Sequence, residues 1–312
     1  MKSLDIQKFY EHHKPFQVDL HMHSIHSDGG KTPDELVRMA EKMKLSVISI
    51  TDHHTVAGYH EAKDTAKALN IGLLPGIEID VDFKGSNYHL MGYGFDPYHK
   101  CLLKILKEKQ QERKERAAKL IKNLQTNNKF DITLRQVESF GSKVIARYHI
   151  VKAIMDSPRN REKVWCEVNP HPNIFEIINY YMGKESGNYV PKEHFTLDEA
   201  LSLMHDAGGI ISVGHPGALQ ADCDLKFKMD DNLRDLIKLG VAGIEVYSPK
   251  HLQVEVKHYE EFVKQEGIIA TGGSDYHGVE IPGVRWTDFV VPYQVYEDLE
   301  KVLILKKPHA SK

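Results

Sequence analysis

Cysteine is scarce: Cys101, Cys166 and Cys223 are the only three in 312 residues, an odd number widely spaced. That pattern excludes a disulfide framework and a thiolate-rich zinc site. Long apolar runs are missing as well. No stretch of about 18 apolar residues is present to cross a bilayer, and the opening MKSLDIQKFYEHHK has no signal-peptide core. A cytoplasmic protein with no membrane partner is expected. A strong net charge is also absent, with 41 Lys plus Arg against 44 Asp plus Glu and a formal charge of -3. Long duplex nucleic acid held by bulk positive charge is therefore excluded as a partner, while a small anionic substrate in a local basic pocket is not. Repeats and low-complexity tracts are missing too.

What is abundant is histidine, with 19 residues, and a regular alternation of strand-like and helix-like segments. QVDLHMH (17–23) reads as a strand. TPDELVRMAEKMK follows as a helix, with Thr32 as N-cap, Pro33 at the first helical position and Glu35 closing a capping box. SVISITDHH is a second β-branched run and HEAKDTAKALN a second helix; GLLPGIEIDVDF and YHLMGYGF are strands divided by the turn signal Lys84-Gly85-Ser86-Asn87. After residue 195 the rhythm resumes. A Thr196/Glu199 capping box opens a helix, and IISVGHPG, VAGIEVYS and IIATGGSDYHG are strands separated by helices near 230–239 and 251–266. TDFVVP and a helix near 293–304 close the chain. Repeated βα units predict an α/β fold with a parallel sheet or barrel.

Residues 99–191 break this rhythm. They begin with the charged helix CLLKILKEKQQERKERAAKLIKNLQ and continue with helical pieces near 132–139, 148–156 and 173–182. The division expected is a metal-binding barrel from 1–98 and 192–312 with a mostly helical insertion at 99–191. The Lys/Glu/Arg run of the long helix is best read alone as a solvated strut.

The strand ends carry the chemistry. His21 and His23 share one side of the first strand, because strand side chains alternate with period two, and Asp28 follows in the turn. His53 ends the second strand, Glu78 lies on the third and His89 on the fourth, while His215, Asp275 and His277 terminate later ones. Any one of these histidines is more simply a satisfied core residue. Six histidines and three carboxylates gathered at successive strand ends are not, because parallel barrels build their sites at those ends. Imidazole and carboxylate without thiolate suit manganese, iron or zinc. Nine ligands exceed what one tetrahedral ion uses, so two or three divalent ions are expected, with Glu78 bridging a pair.

The segments DLHMHSIHSDG, ITDHHT, GIEI, HLMGYG, GHPG, GIEVYSPKH and GGSDYHG together resemble, in order, the signatures of the PHP (polymerase and histidinol phosphatase) metallophosphoesterases. The resemblance implies a distorted seven-stranded β/α (TIM-like) barrel with a trinuclear centre. One ion would take His21, His23, Glu78 and Asp275. A second would share Glu78 and take His89 and His215, and a third would take Asp28, His53 and His277. Within the insertion, ARYHIVKAIM and YYMGKESGNYVPKEHFTLDEALSLMHDAGG are similar to the branch that removes the 3′-phosphate of nucleoside 3′,5′-bisphosphates, some members of which trim short RNA from the 5′ end. That similarity implies substrate contacts from Arg147, His149, Lys184 and Tyr189, with Ser248 and His251 facing the same mouth. His54 and His26 depart from the family pattern and are read as outward-facing bystanders.

The chemistry expected is phosphomonoester hydrolysis by a metal-bound hydroxide, with no protein nucleophile. Ser274, beside Asp275, is better explained by turn geometry. The substrate expected is a nucleotide or a short oligonucleotide end under a helical lid. The same ligands would also serve a histidinol phosphatase or a general small-molecule phosphomonoesterase, or, without turnover, a metal-stabilised scaffold.

Overall fold

The first two apolar runs pair side by side, as their β-branched composition favours. In the computed structural model, which describes residues 17–140, 145–191, 195–219, 229–278 and 291–306, β1 (Gln17–Met22) lies parallel to β2 (Leu45–Ile50). The connection is α1 (Pro33–Lys42), which starts where the Thr32/Glu35 capping box and Pro33 place it. Its inward residues Leu36, Val37 and Ala40 pack with Met22, Ile48, Ile50 and, from α2 (Ala57–Ala68), Ala62 and Ala66. The short strands β3 (Gly72–Leu73) and β9 (Val291–Pro292) complete a sheet of order β3-β2-β1-β9.

A second sheet has the order β4-β5-β6-β7-β8 and contains β4 (Gly76–Phe83), β5 (Ser86–Tyr93), β6 (Ile210–Val213), β7 (Gly243–Tyr247) and β8 (Ile269–Gly272). Here an all-parallel expectation is corrected, since β4/β5 and β5/β6 run antiparallel while β6/β7/β8 are parallel. The cause is local. Lys84 (φ 53°) and Gly85 (φ 78°) form a two-residue turn with both φ values positive, the geometry that reverses a strand directly. A parallel return needs a crossover of a dozen or more residues. The ladders thus make two sheets, with isolated parallel bridges Met22↔Tyr276 and His53↔Glu78 spanning the seams between them.

The second sheet's core includes Ile77, Ile79, Leu90, Val213 and Ile244, covered by α8 (Leu197–Asp206), α10 (Met229–Lys238) and α11 (Gln253–Glu266). The Thr196/Glu199 box opens α8 as the sequence predicts. α12 (Tyr293–Lys306) packs Val295, Leu299 and Leu303 beneath β1. Of the expected strand TDFVVP, residues 287–290 lie outside the described residues.

The intervening segment is helical: α3 (Lys100–Asn128), α4 (Leu134–Glu138), α5 (Arg147–Asp156), α6 (Pro158–Glu167) and α7 (Ile174–Met182). α6 was not foreseen, although Ser157 caps it and Pro158 occupies its first position, both recognised start signals. Packing changes hands within α3. Leu102 and Leu106 belong to the sheet core, whereas Ala117, Leu120, Ile121 and Leu124 join a separate core with Ile150, Ile154, Ile177 and Tyr181. α9 (Pro216–Leu219) is a single turn after β6. Cys101 and Cys166 are exposed and unpaired, and Cys223 lies outside the described residues. Among the described residues, no helix is long and apolar enough to cross a membrane.

Candidate metal centre

The two seam bridges bring the ends of β1, β2 and β8 against the interior of β4, and every ligand expected from the sequence lies at that junction. Glu78 is at its middle. Its Oε2 lies 3.4 Å from His21 Nε2, 3.0 Å from His23 Nε2 and 3.3 Å from His53 Nε2. Its Oε1 lies 2.5 Å from His89 Nδ1 and 3.6 Å from His215 Nε2. Five imidazoles thus face the two oxygens of one carboxylate that is only 1% exposed.

Asp275 closes one side, with Oδ1 3.2 Å from His21 Nε2 and 3.1 Å from His23 Nε2. Asp28 closes the other, 3.6 Å from both His23 Nδ1 and His277 Nε2 and 3.7 Å from His53 Nε2. Among the described residues, three groupings have ligand atoms close enough to share an ion: His21, His23, Glu78 and Asp275; His23, Asp28, His53 and His277; and His53, Glu78 and His89. His215 faces the first and third through Glu78 and Asp275, the latter at 4.0 Å.

The donor set fits divalent cations. His21 Nε2, His215 Nε2, Asp28 Oδ1 and both Glu78 oxygens are buried without a hydrogen bond of good geometry, a condition that costs about 1–3 kcal/mol per group when nothing compensates it. All of them point into the cluster. Burial opposes charge on His23, but the adjacent Asp275 and Glu78 carboxylates outweigh it and push the ring up to about 10. At His53 burial wins and holds the imidazole down near 4. Burial also penalises the Asp28 carboxylate, yet His53, His277 and His23 keep it far below the usual range. The cluster is built around competition for positive charge.

Several carboxylates behind the ligands were not singled out from the sequence. Glu245 Oε1 is 2.9 Å from His21 Nδ1, and its Oε2 accepts the His215 backbone N–H at 2.6 Å. Asp19 accepts backbone N–H groups of His21 and Ser274, and Asp52 accepts from Ser24 and Ser27. The signal of Asp19 and Glu245 was a charged residue inside an apolar strand, and Asp52 stands two residues past the end of β2, where a buried charge is rare unless paired. Ser274 is held at the seam by its own backbone and side-chain contacts. Lys250, also unforeseen, ion-pairs with Asp275.

His54 and His26 are not outward-facing. His54 is buried, with Nε2 accepting the Asp80 N–H at 3.0 Å, and buried His26 pairs through Nε2 with Glu61 at 2.6 Å.

Beside the mouth, His54, Lys109, Glu112, Arg113, Glu115, Arg116, Lys119, Val190 and Pro191 line a pocket in which four cations face two carboxylates, with Lys109 ion-paired to Glu112 at 3.2 Å. The strut reading of α3 is corrected here: Lys109, Arg113 and Arg116 follow i, i+4, i+7 spacing and share one face. Arg116 Nε donates to Val190 O at 2.9 Å, and Arg113 Nε donates to Ile145 O at 3.3 Å while its Nη1 is buried without a partner. Burial, then the like charges of Arg147 and Arg113, pull the Arg116 guanidinium below its ordinary range. Arg147 stands at the start of α5 within electrostatic reach of Tyr189.

The other expected substrate contacts differ in their surroundings. His149 is buried and its Nδ1 accepts the Ala146 N–H at 3.0 Å. Lys184 is exposed. Ser248 is buried, with its Oγ accepting the Lys250 N–H at 3.4 Å. His251 is a correction. Its Nδ1 donates to Val246 O at 2.9 Å and its Nε2 accepts the Gly217 N–H at 3.0 Å, so both nitrogens brace backbone and neither is left for substrate.

A model of the PHP domain matches residues 19–154. The chain is 27% identical over 263 residues to a 3′,5′-nucleoside bisphosphate phosphatase of Chromobacterium violaceum, covering 83% of this chain and 87% of that protein. It is 27% identical over 269 residues to a 5′-3′ exoribonuclease of Haemophilus influenzae, covering 84% and 90% respectively. A solved structure from Bifidobacterium adolescentis shares the fold with a TM-score of 0.76 at 23% identity, covering 95% of this chain and 98% of that one. The stretch that the PHP domain model matches takes in the strands that carry His21 to His89.

Proposed function

We propose that this chain, a metal-dependent phosphoric ester hydrolase, removes the 3′-phosphate from nucleoside 3′,5′-bisphosphates and also trims short RNA from the 5′ end. The observation that carries the reading is the pairing of two features: a carboxylate faced by five imidazoles and, against it, a pocket where Lys109, Arg113, Arg116 and Lys119 outnumber Glu112 and Glu115. The nine residues His21, His23, Asp28, His53, Glu78, His89, His215, Asp275 and His277 would hold two or three divalent ions of manganese, iron or zinc. Such ions, when bound, polarise the phosphoryl group and make a water nucleophilic at neutral pH.

The protein's own residues do the rest. Glu78, Asp275 and Asp28 fix the rings around one point, so the phosphate to be cleaved is oriented before reaction. Arg113, Arg116 and Arg147 press like charges together around the pocket, an arrangement relieved by an anion, and guanidinium is suited to grip phosphate by charge-assisted bonds. A substrate with a second phosphate would span the centre and the pocket. In the overall step the P–O3′ bond breaks, the oxygen of water joins phosphorus, and the freed 3′-oxygen takes a proton. The helical segment 99–191 acts as a cap over this mouth, and the seven principal strands, joined at the two seam bridges, form the distorted barrel beneath it.

RNA trimming is supported by the basic row on α3. From Lys109 to Lys119 it runs about 15 Å at the helical rise, enough to follow more than one nucleotide. The test is a panel of nucleoside 3′,5′-bisphosphates, short 5′-phosphorylated RNAs and histidinol phosphate, run with chelated protein and with each metal. Release of phosphate from the 3′ position is expected. Turnover of histidinol phosphate alone would overturn the substrate assignment.

A further inference from the structure

Asp80 belongs to none of the ligand groupings, yet it is 1% exposed and lies two residues beyond Glu78 on the same face of β4. Directly across the antiparallel ladder is His89. A single oxygen, Asp80 Oδ1, lies 3.5 Å from His53 Nδ1 and 3.3 Å from His89 Nε2. The opposite nitrogens of those same rings, His53 Nε2 and His89 Nδ1, face Glu78 at 3.3 and 2.5 Å. Each imidazole is therefore clamped between an inner and an outer carboxylate. The outer one is the same oxygen for both.

We infer that Asp80 is a positioning residue that sets the tautomer and ring orientation of His53 and His89 together, and so determines occupancy of the cation position they form with Glu78. From those ion-pair distances Asp80 would take Nδ1–H of His53 and Nε2–H of His89 once a cation is held, which would leave the other nitrogen of each ring with its lone pair free for that cation. A ligating histidine needs that arrangement, and outer carboxylates of this kind raise ligand basicity. The inference rests on the metal-centre reading above.

The surroundings explain how Asp80 can serve two rings. Its N–H donates to His54 Nε2 at 3.0 Å and its C=O accepts from Phe195 N–H at 3.2 Å, so its backbone is held on both sides. His54 adopts φ 54°, in the left-handed region, which costs roughly 1–2 kcal/mol for an L-residue. Gln110 Nε2 holds the His54 carbonyl at 3.1 Å and Phe195 meets its ring edge-on at 5.3 Å. A strained, buried histidine is thus maintained where it steadies Asp80.

The experiment uses zinc alone as the probe. Nitrogen-15 NMR of the zinc-loaded wild type should show protons on His53 Nδ1 and His89 Nε2, shifted downfield by a carboxylate acceptor. Asp80→Asn should lose that downfield signature and bind one zinc ion about 10- to 100-fold more weakly by chelator competition, while Asp80→Glu recovers part of the affinity. Protons on the opposite nitrogens in the wild type would overturn the inference even if the Asn variant failed to fold, as would unchanged zinc affinity and count in that variant. Turnover is not read in this test. Zinc bound as described, with no phosphoester hydrolysed, would sink the proposed function and leave the role of Asp80 standing.

Discussion

Glu78→Gln is expected to remove most of the stabilisation that divalent cations confer. Among the described residues, Glu78 belongs to two of the three ligand groupings, and only His23, Asp28, His53 and His277 assemble without it. An ion present at 100 times its dissociation constant stabilises the folded state by about 2.7 kcal/mol. Three such ions would contribute about 8 kcal/mol, and the variant, left with one grouping, would keep about a third of that. At roughly 2–4 °C per kcal/mol for a large domain, chelated wild-type protein should gain about 15–30 °C in Tm on saturation with zinc or manganese. The variant should gain about 5–10 °C. Calorimetric melts of both proteins, chelated and then titrated with metal, measure the difference. Equal gains in the two proteins, or a wild-type melt indifferent to metal, would refute the reasoning that Glu78 is the shared ligand.

Three further outcomes are expected. Gly273→Ala places a Cβ 2.2 Å from His21 Cβ and 2.3 Å from His21 N; backbone there cannot yield cheaply, so β1 and the end of β8 must separate. That overpacking costs about 1–3 kcal/mol, and the urea midpoint and metal content should fall together; a drop in one alone would argue against a seam shared by fold and site. Arg116→Ala should raise KM for a 3′,5′-bisphosphate about 10- to 100-fold, the worth of a charge-assisted bond, and leave a 3′-monophosphate unaffected; an equal loss on both would remove the pocket from the second phosphate. Burial holds His149 down at about 4, below its unfolded value of about 6.5. Its contribution to stability is complete above pH 6.5 and is lost as pH falls toward 4, because the unfolded state takes up the proton first. His149→Gln keeps an acceptor for the Ala146 N–H and removes the titration, so denaturation at pH 7 and pH 5 should show a smaller loss in the variant.

Much of this molecule was legible because its signals are local. The Thr32/Glu35 and Thr196/Glu199 boxes set helix starts within four residues. The pleat alone placed His21 and His23 on one side, and the alternation of apolar runs marked where the strands end. Capping and strand alternation are properties of neighbouring atoms, and they need no knowledge of the rest of the chain.

What the tertiary structure decided involves partners far apart in sequence. Glu245 reaches His21 across 224 positions, and Asp80 meets His53 and His89 only because an antiparallel hairpin and a seam bridge deliver all three to one place. Arg113 and Arg116 follow the spacing of any solvated helix face, and they become a pocket wall only where Val190 and Ile145 pack against them. His251 has the right residue type and strand-end position for a substrate contact, yet its two nitrogens are occupied by Val246 and Gly217. The sequence by itself determined which donors stand at the strand ends. Which of them face a cation, a phosphate or merely the backbone was decided by the register of the sheets and the docking of α3, because hydrogen-bond and Coulomb energies depend on distances that only the folded chain sets.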